Sequence, residues 1–120
     1  MTSEHEVVQV ESRADWRDWL ERNHTTSPGV WLVTWKKAAG RPRVEYDAAV
    51  EEGLCFGWVD SKSKRVDDER TSLLFTPRKA RSAWSESNVA RVERLEAAGL
   101  MRAAGRKAVE HAKQNGRWPA

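Results

Sequence analysis

Apolar residues recur at helical spacing in four segments of the chain. In the first segment, Trp16, Trp19 and Leu20 fall on one face of a helix that Ser12 can cap and that ends near Asn23. Each of the other three segments is followed closely by a glycine, which favours the end of a helix. They predict further helices over residues 46–55, 85–98 and 103–115.

Alternation of apolar and polar positions predicts the strands. Residues 30–36 form the clearest strand, with Trp31, Val33 and Trp35 on one face. Shorter strands are predicted over residues 58–61, 64–67 and 71–75, and the few residues between them favour antiparallel hairpins.

The order of these elements, α-β-α-β-β-β-α-α, predicts an α+β fold. We expect about four helices to cover a small antiparallel sheet of about four strands. No linker interrupts the pattern, so one domain is predicted over residues 12–118, after a flexible N-terminal segment of residues 1–11.

The composition narrows the class of protein. A chain of 120 residues with seven tryptophans can bury the core of a single domain. Its single cysteine, Cys55, excludes an internal disulfide, and its three histidines lie in different elements. No phosphate-binding or dinucleotide motif is present, so we expect neither a metal nor a cofactor. The N-terminus does not resemble a signal peptide and no run approaches ~20 apolar residues, which predicts a cytoplasmic protein without a membrane span.

Cationic and hydrogen-bonding residues are concentrated just before the third predicted helix. Arginine can grip a carboxylate or phosphate with two bonds, and the start of a helix offers unpaired N–H groups and partial positive charge. We therefore predict an anion site formed by Arg78, Lys79, Arg81, Ser82, Trp84, Ser85 and Asn88. In the alternative interpretation, a serine only caps the helix, Trp84 fills the core and the cations are solvated.

A second segment is expected to complete this pocket, with Trp58, Asp60 and Ser61 at the end of a predicted strand. Asp60 could bind an ammonium group or orient Arg78, or it could be an ordinary turn residue. Cys55 could act as a nucleophile beside a base, but its apolar neighbours favour a small buried side chain.

The tryptophans divide into two groups by their surroundings in the sequence. Periodicity predicts a core position for Trp16, Trp19, Trp31 and Trp35. Polar or charged residues flank the other three, and we expect one or two of them to line a groove. These three are Trp58, Trp84 and Trp118.

Several blocks of the sequence resemble those of one known family. LCFGWVD at residues 54–60, FTPR and SAWSESN within 75–88, GVWL at 29–32, ERLEAAGLM at 93–101 and GRW at 116–118 match the family's motifs in order. On these motifs the chain resembles the YdeI/OmpD-associated, or bacteriocin-protection, family over nearly its whole length. The resemblance implies an association with bacteriocin protection and tolerance of cationic antimicrobial peptides, but no defined reaction. Longer members continue after GRW into a helical region rich in Ala, Lys and Arg, whereas this sequence stops at Ala120.

The favoured hypothesis is a small, soluble binding module with an anion-compatible, tryptophan-walled pocket. Its ligand would be a small acidic metabolite or a peptide carboxylate. A second hypothesis is an enzyme that uses Asp60 or Cys55 beside Arg78 and requires another titratable group close by.

A third hypothesis is weak binding of single-stranded nucleic acid by tryptophan stacking and cationic contacts. The net charge of +3 and the pI of about 9.3 permit non-specific binding but do not require it. This hypothesis requires one face to carry Lys36, Lys37, Arg78, Lys79 and Arg81.

Overall fold

The computed structural model describes residues 5–119, and within them the chain forms four helices and one four-stranded sheet. The helices are α1 (Arg13–Asn23), α2 (Tyr46–Cys55), α3 (Glu86–Ala97) and α4 (Ala103–Gln114). The strands are β1 (Glu6–Gln9), β2 (Val30–Trp35), β3 (Trp58–Arg65) and β4 (Arg70–Pro77), and a short 3-10 helix, Lys37–Ala39, follows β2. The predicted α+β fold is confirmed. None of the helices in this described part of the chain has the length and apolar character needed to cross a membrane.

The sheet has the order β1-β2-β4-β3 and mixed strand directions. The β2–β4 and β4–β3 pairs are antiparallel, as expected, whereas β1 runs parallel to β2. Helix α1 connects β1 to β2, and a connection of this kind returns the chain in the same direction. The flexible segment predicted for residues 1–11 is therefore wrong for residues 6–10, because β1 pairs with β2 and Val10 is buried. Residues 1–4 lie outside the described part of the chain.

Two long strands replace the three short strands predicted after α2. β3 continues through the polar residues that suggested a turn, and a bulge between Asp60 and Lys62 shifts its register against β4. The tight turn lies later, where the Asp67 carboxylate accepts hydrogen bonds from the backbone N–H groups of Glu69 (2.9 Å) and Arg70 (2.8 Å). A polar run fits β3 because this strand forms an edge of the sheet with exposed side chains.

Aromatic packing joins the helices to the sheet. The buried ring of Trp16 stacks on Trp19 at 5.6 Å between centroids and contacts Phe75 of β4 at 5.0 Å. Its indole N–H donates to the Ala49 carbonyl at 3.0 Å, which fixes α1 against α2. Close backbone contact secures α4, because a Cβ on Gly105 would lie 2.3 Å from the Cys55 carbonyl oxygen.

One buried carboxylate also serves the fold. Glu52 is 2 % exposed and accepts hydrogen bonds from Arg13 and, at 2.7 Å, from Arg17. Arg17 also donates to the Leu100 carbonyl at 2.7 Å. The charge on Glu52 is therefore paired, and this cluster ties α1 and α2 to the connection between α3 and α4.

Candidate functional site

The two predicted site segments meet at their starts, where β3 begins and β4 ends. In the β3–β4 register, Trp58 is opposite Pro77 and Asp60 is opposite Phe75. The backbone N–H of Arg78 donates to the Gly57 carbonyl at 2.8 Å, and Gly57 has the positive φ of +77° that lets α2 end and β3 begin. The fold thus brings the starts of both segments together, as the sequence analysis expects.

Arg78 makes its main contacts within its own loop. Its guanidinium carbon lies 3.9 Å from the ring centroid of Trp84, and Nη2 donates to the Ala83 carbonyl at 2.7 Å. Nε and Nη1 are buried without a hydrogen-bond partner among the described residues. Burial lowers the pKa of Arg78, and the negative charge of Asp60 opposes that shift. No carboxylate in the described chain forms an ion pair with Arg78, so Asp60 acts on it only through its charge.

Trp84 belongs to the packed interior rather than to an open wall. Its side chain is buried, and its ring lies 5.1 Å from that of Trp118, which in turn has Lys113 Nζ at 5.3 Å. Trp58 is also buried and meets Trp19 edge-on at 5.8 Å. Of the three tryptophans of which one or two were expected to line a groove, Trp58 and Trp84 are therefore core residues. Trp118 does line a groove, the one between α3 and α4.

Trp31 and Trp35 are only half-buried, although their spacing predicted core positions. Cationic side chains cover part of each ring, with Lys64 Nζ 5.8 Å from the centroid of Trp31 and Arg41 Cζ 4.6 Å from that of Trp35. This face of β2 points away from the core that contains Trp16. The sequence pattern cannot show which face of the sheet the helices cover.

The other predicted site residues near α3 make local contacts or face solvent. Ser85 caps α3 by accepting from the Asn88 backbone N–H at 3.1 Å. The Asn88 side chain accepts from Arg91 Nη1 at 3.0 Å. Lys79 and Arg81 are exposed, while Ser82 is half-buried. A binding role for this segment stays a prediction. The hydrogen bonds of Ser85 and Asn88 are those of an ordinary capped helix.

Asp60 and Ser61 also have partners inside the protein. Asp60 accepts a hydrogen bond from the Tyr46 hydroxyl at 2.9 Å, and Ser61 Oγ donates to the Leu74 carbonyl at 3.4 Å. Partial burial, reinforced by Asp60, raises the pKa of Tyr46. Tyr46 is thus the titratable neighbour that the enzyme hypothesis requires beside Asp60, but it holds its proton more firmly than usual. Cys55 is fully buried and burial raises its pKa, so its thiol does not form a ready nucleophile.

The five cations required for a nucleic-acid face lie at two ends of the sheet. β2 and β4 are antiparallel with Trp35 opposite Arg70 and Val30 opposite Phe75. Lys36 and Lys37 follow β2, whereas Arg78 and its neighbours follow β4, so a strand length of about 20 Å separates the two groups.

A cavity of about 340 Å³ lies between β2, β4 and the start of α2, in a part of the molecule that the predicted site does not include. We call it the cationic cavity, and its main residues are Leu32, Lys36, Lys37, Arg43, Val44 and Leu73. Leu32 and Leu73 are opposite each other in the β2–β4 register and form the floor. No acidic side chain of the described residues lines it. An apolar floor with a few polar groups at the rim is typical of a ligand site.

The connection from β2 to α2 places three cations at the rim of this cavity. The Lys36 N–H donates to the Glu69 carbonyl at 2.8 Å, and the Val44 N–H donates to Thr34 Oγ1 at 3.0 Å, which fixes both ends of the connection. Gly40 closes the 3-10 helix with a φ of +67°, a conformation that glycine adopts without strain. Lys37 is exposed at the rim.

The electrostatics of the rim favour an anion. Within residues 5–119, Lys36 and Lys37 form no ion pair, and Arg43 has a long contact of 3.5 Å with the exposed carboxylate of Glu45. Helix α2 begins beside the cavity, and Glu45 at its N-cap position makes no capping hydrogen bond with its side chain. The N–H groups of that helix end carry partial positive charge, which the carboxylates of Glu45 and Asp47 in the same turn offset in part.

The signal for this site in the sequence is the run KKAAGRPR at residues 36–43, which has four cations and no acid. Lys36 and Lys37 belong only to the nucleic-acid hypothesis, and Arg43 belongs to none of the predicted sites. The apolar floor could not be predicted, because it depends on the pairing of β2 with β4.

Neither the curated proteins nor the solved structures include a match to this chain. A family model described as a domain of unknown function, DUF8412, matches residues 8–108. That range contains both the cationic cavity and the segment from Arg78 to Asn88. The chain therefore belongs to the DUF8412 family.

Proposed function

We propose that this protein is a binding module for a small anion and that the cationic cavity is its binding site. One observation carries the proposal, namely three cationic side chains and no acidic one around a concave site of about 340 Å³ with an apolar floor. A carboxylate or phosphate in that position would gain hydrogen bonds to charged donors, which are stronger than bonds between neutral groups.

The proposal keeps the predicted ligand class and changes the predicted location. Arg78 donates a hydrogen bond from one nitrogen to the Ala83 carbonyl, and its guanidinium group stacks on Trp84. Its other two nitrogens are buried. A ligand could reach those nitrogens only after the loop moves. At the cavity rim, the exposed amine of Lys37 can meet a ligand without any such movement.

We also propose kinship with the YdeI/OmpD-associated family, which the order of the sequence motifs supports. A role in bacteriocin protection or peptide tolerance would follow from that kinship. It would be tested by deleting the gene in its host and measuring survival with cationic antimicrobial peptides.

The test of the binding site compares two double variants with the same loss of charge. Lys36→Ala/Lys37→Ala removes cations from the cavity rim, and Lys79→Ala/Arg81→Ala removes two exposed cations from the predicted segment. Calorimetric titrations with inorganic phosphate and small carboxylates at low salt measure binding. We expect the first variant to bind at least about tenfold more weakly, equivalent to ~1.4 kcal/mol, and the second to bind like the wild type.

The opposite pattern would return the site to the segment before α3. Equal losses in both variants would show that only the net charge matters, and no binding by the wild-type protein would reject the proposed function. Thermal melts of all three proteins establish that each is folded before the titrations are compared.

A further inference from the structure

We infer that the anion held by the cationic cavity is amphipathic, with a carboxylate or phosphate at the rim and an apolar group on the floor. This inference rests on the proposed function, which concerns only the charged end of the ligand. The surface that lines the cavity is mainly apolar, and its three cations all come from the connection between β2 and α2.

The floor offers a ligand apolar contact and few free polar groups. The half-buried Leu73 supplies accessible apolar surface, whereas Leu32, Val44 and Ala49 line the cavity as buried core side chains. Thr34 Oγ1 already accepts from the Val44 N–H, and Ser72 Oγ donates to the Lys64 carbonyl at 2.8 Å. A polar group on the ligand would lose its water here and gain little in return, which is unfavourable. A hydrocarbon group would instead release water from apolar surface.

The volume of the cavity indicates how large an apolar group it can cover. A volume of about 340 Å³ corresponds to roughly eleven water molecules at about 30 Å³ each. This space suits a molecule of about ten non-hydrogen atoms, such as a medium-chain or aromatic carboxylate. A bare inorganic anion would occupy the rim and leave the floor uncovered.

The two parts of the site can be tested separately with a homologous series of acids. Acetate, butanoate, hexanoate and octanoate share one charged group and differ only in apolar length. Each buried methylene can strengthen binding up to about fourfold, so we expect hexanoate to bind at least about 30-fold more tightly than acetate. Isothermal titration calorimetry gives the affinities.

A substitution on the floor links the chain-length effect to this cavity. Leu73→Asn makes the floor polar at a half-buried position, and Leu100→Asn is the matched control at a half-buried position outside the cavity. We expect Leu73→Asn to lose at least about tenfold in octanoate affinity, so that affinity no longer rises with chain length. Leu100→Asn should keep the full series, and thermal melts confirm that both variants are folded.

The possible outcomes separate the two proposals. If acetate or inorganic phosphate binds as tightly as octanoate, the ligand is not amphipathic and the inference is overturned, while the proposed function stands. A chain-length effect that survives in Leu73→Asn also overturns it, because the apolar group then binds elsewhere. If neither inorganic phosphate nor any acid of the series binds, both proposals fall.

Discussion

The loop that follows β4 and the connection that follows β2 are both rich in cations, yet the fold uses them differently. Residues 78–81 contain three cations and residues 36–43 contain four. After β4, Arg78 turns onto Trp84 and the carbonyl of Ala83. After β2, Lys36 and Lys37 remain without an ion pair in the described structure and border a cavity. Two runs of similar cation density thus differ in their surroundings, because one packs against a buried ring and the other borders a concave surface.

The Arg78 loop is also tied to the C-terminal end of α4. Arg78, Trp84, Trp118 and Lys113 form a column of successive contacts, in which one cation lies against each of two rings that meet at an angle of 53°. The Trp84 N–H donates to the Arg117 carbonyl at 3.3 Å. This arrangement joins the start of α3 to the segment that follows α4. It gives Arg78 and Trp84 packing contacts that the cavity cations Lys36 and Lys37, which form no ion pair in the described structure, do not have.

The largest difference between the two regions should follow from removing one tryptophan from each. Trp84→Ala takes a buried ring from the column and should lower the free energy of unfolding by about 3–5 kcal/mol. Trp35→Ala removes a half-buried ring beside the cavity and should cost clearly less. Urea denaturation followed by circular dichroism measures both values. Equal losses would mean that Trp84 is no more important to the fold than a surface tryptophan.

Most helices could be predicted because their signals are local. Ser12 and Ser85 cap α1 and α3 in the structure, as their positions before apolar stripes indicate. The bounds of α2 agree with the predicted range of 46–55. These features depend on residues within a few positions of one another, which a single sequence contains.

The errors concern features that depend on distant partners. β1 is only four residues long and forms a strand because β2 lies beside it. Trp58 and Trp35 were assigned to the wrong environments because helices cover only one face of the sheet. The cationic cavity was missed for the same reason, since Leu32 and Leu73 are 41 positions apart in the chain and meet only through the pairing of β2 with β4.

A smaller effect is expected from arginine substitutions that compare the same two regions. Arg78→Ala removes a stacked, mostly buried guanidinium and its bond to Ala83, and should lower the free energy of unfolding by about 1–2 kcal/mol. Arg41→Ala removes an exposed guanidinium from Trp35 and should cost about 0.5 kcal/mol. Chemical denaturation provides both values.

Anion titrations of the same two arginine variants show whether Arg78 also binds a ligand. We expect Arg78→Ala to bind phosphate and carboxylates like the wild type. A large loss of anion affinity with unchanged stability, partly recovered in Arg78→Lys, would instead support the site predicted before α3.

The smallest expected effect concerns Tyr46. Its side chain borders the cavity, and its hydroxyl donates a hydrogen bond to Asp60 of the predicted site at 2.9 Å. The pKa of Tyr46 is raised above its ordinary value of 10.0, first by partial burial and then by Asp60. The folded state therefore holds this proton more tightly than the unfolded state does. Its contribution to stability is complete below about pH 10 and is lost as the pH rises through the folded pKa.

Tyr46→Phe removes both the hydrogen bond and this titration. At pH 7 the variant should be less stable by under about 1 kcal/mol, because solvent weakens a bond at an exposed side chain. As the pH rises above 10, the wild type loses the contribution from Tyr46 while the variant has none to lose, so the difference between the two proteins should shrink. Urea denaturation at pH 7, 9, 10 and 11 measures that difference. A difference that stays constant or grows with pH would show that Asp60 does not hold the Tyr46 proton, and the link between the cavity and the predicted site would then be only steric.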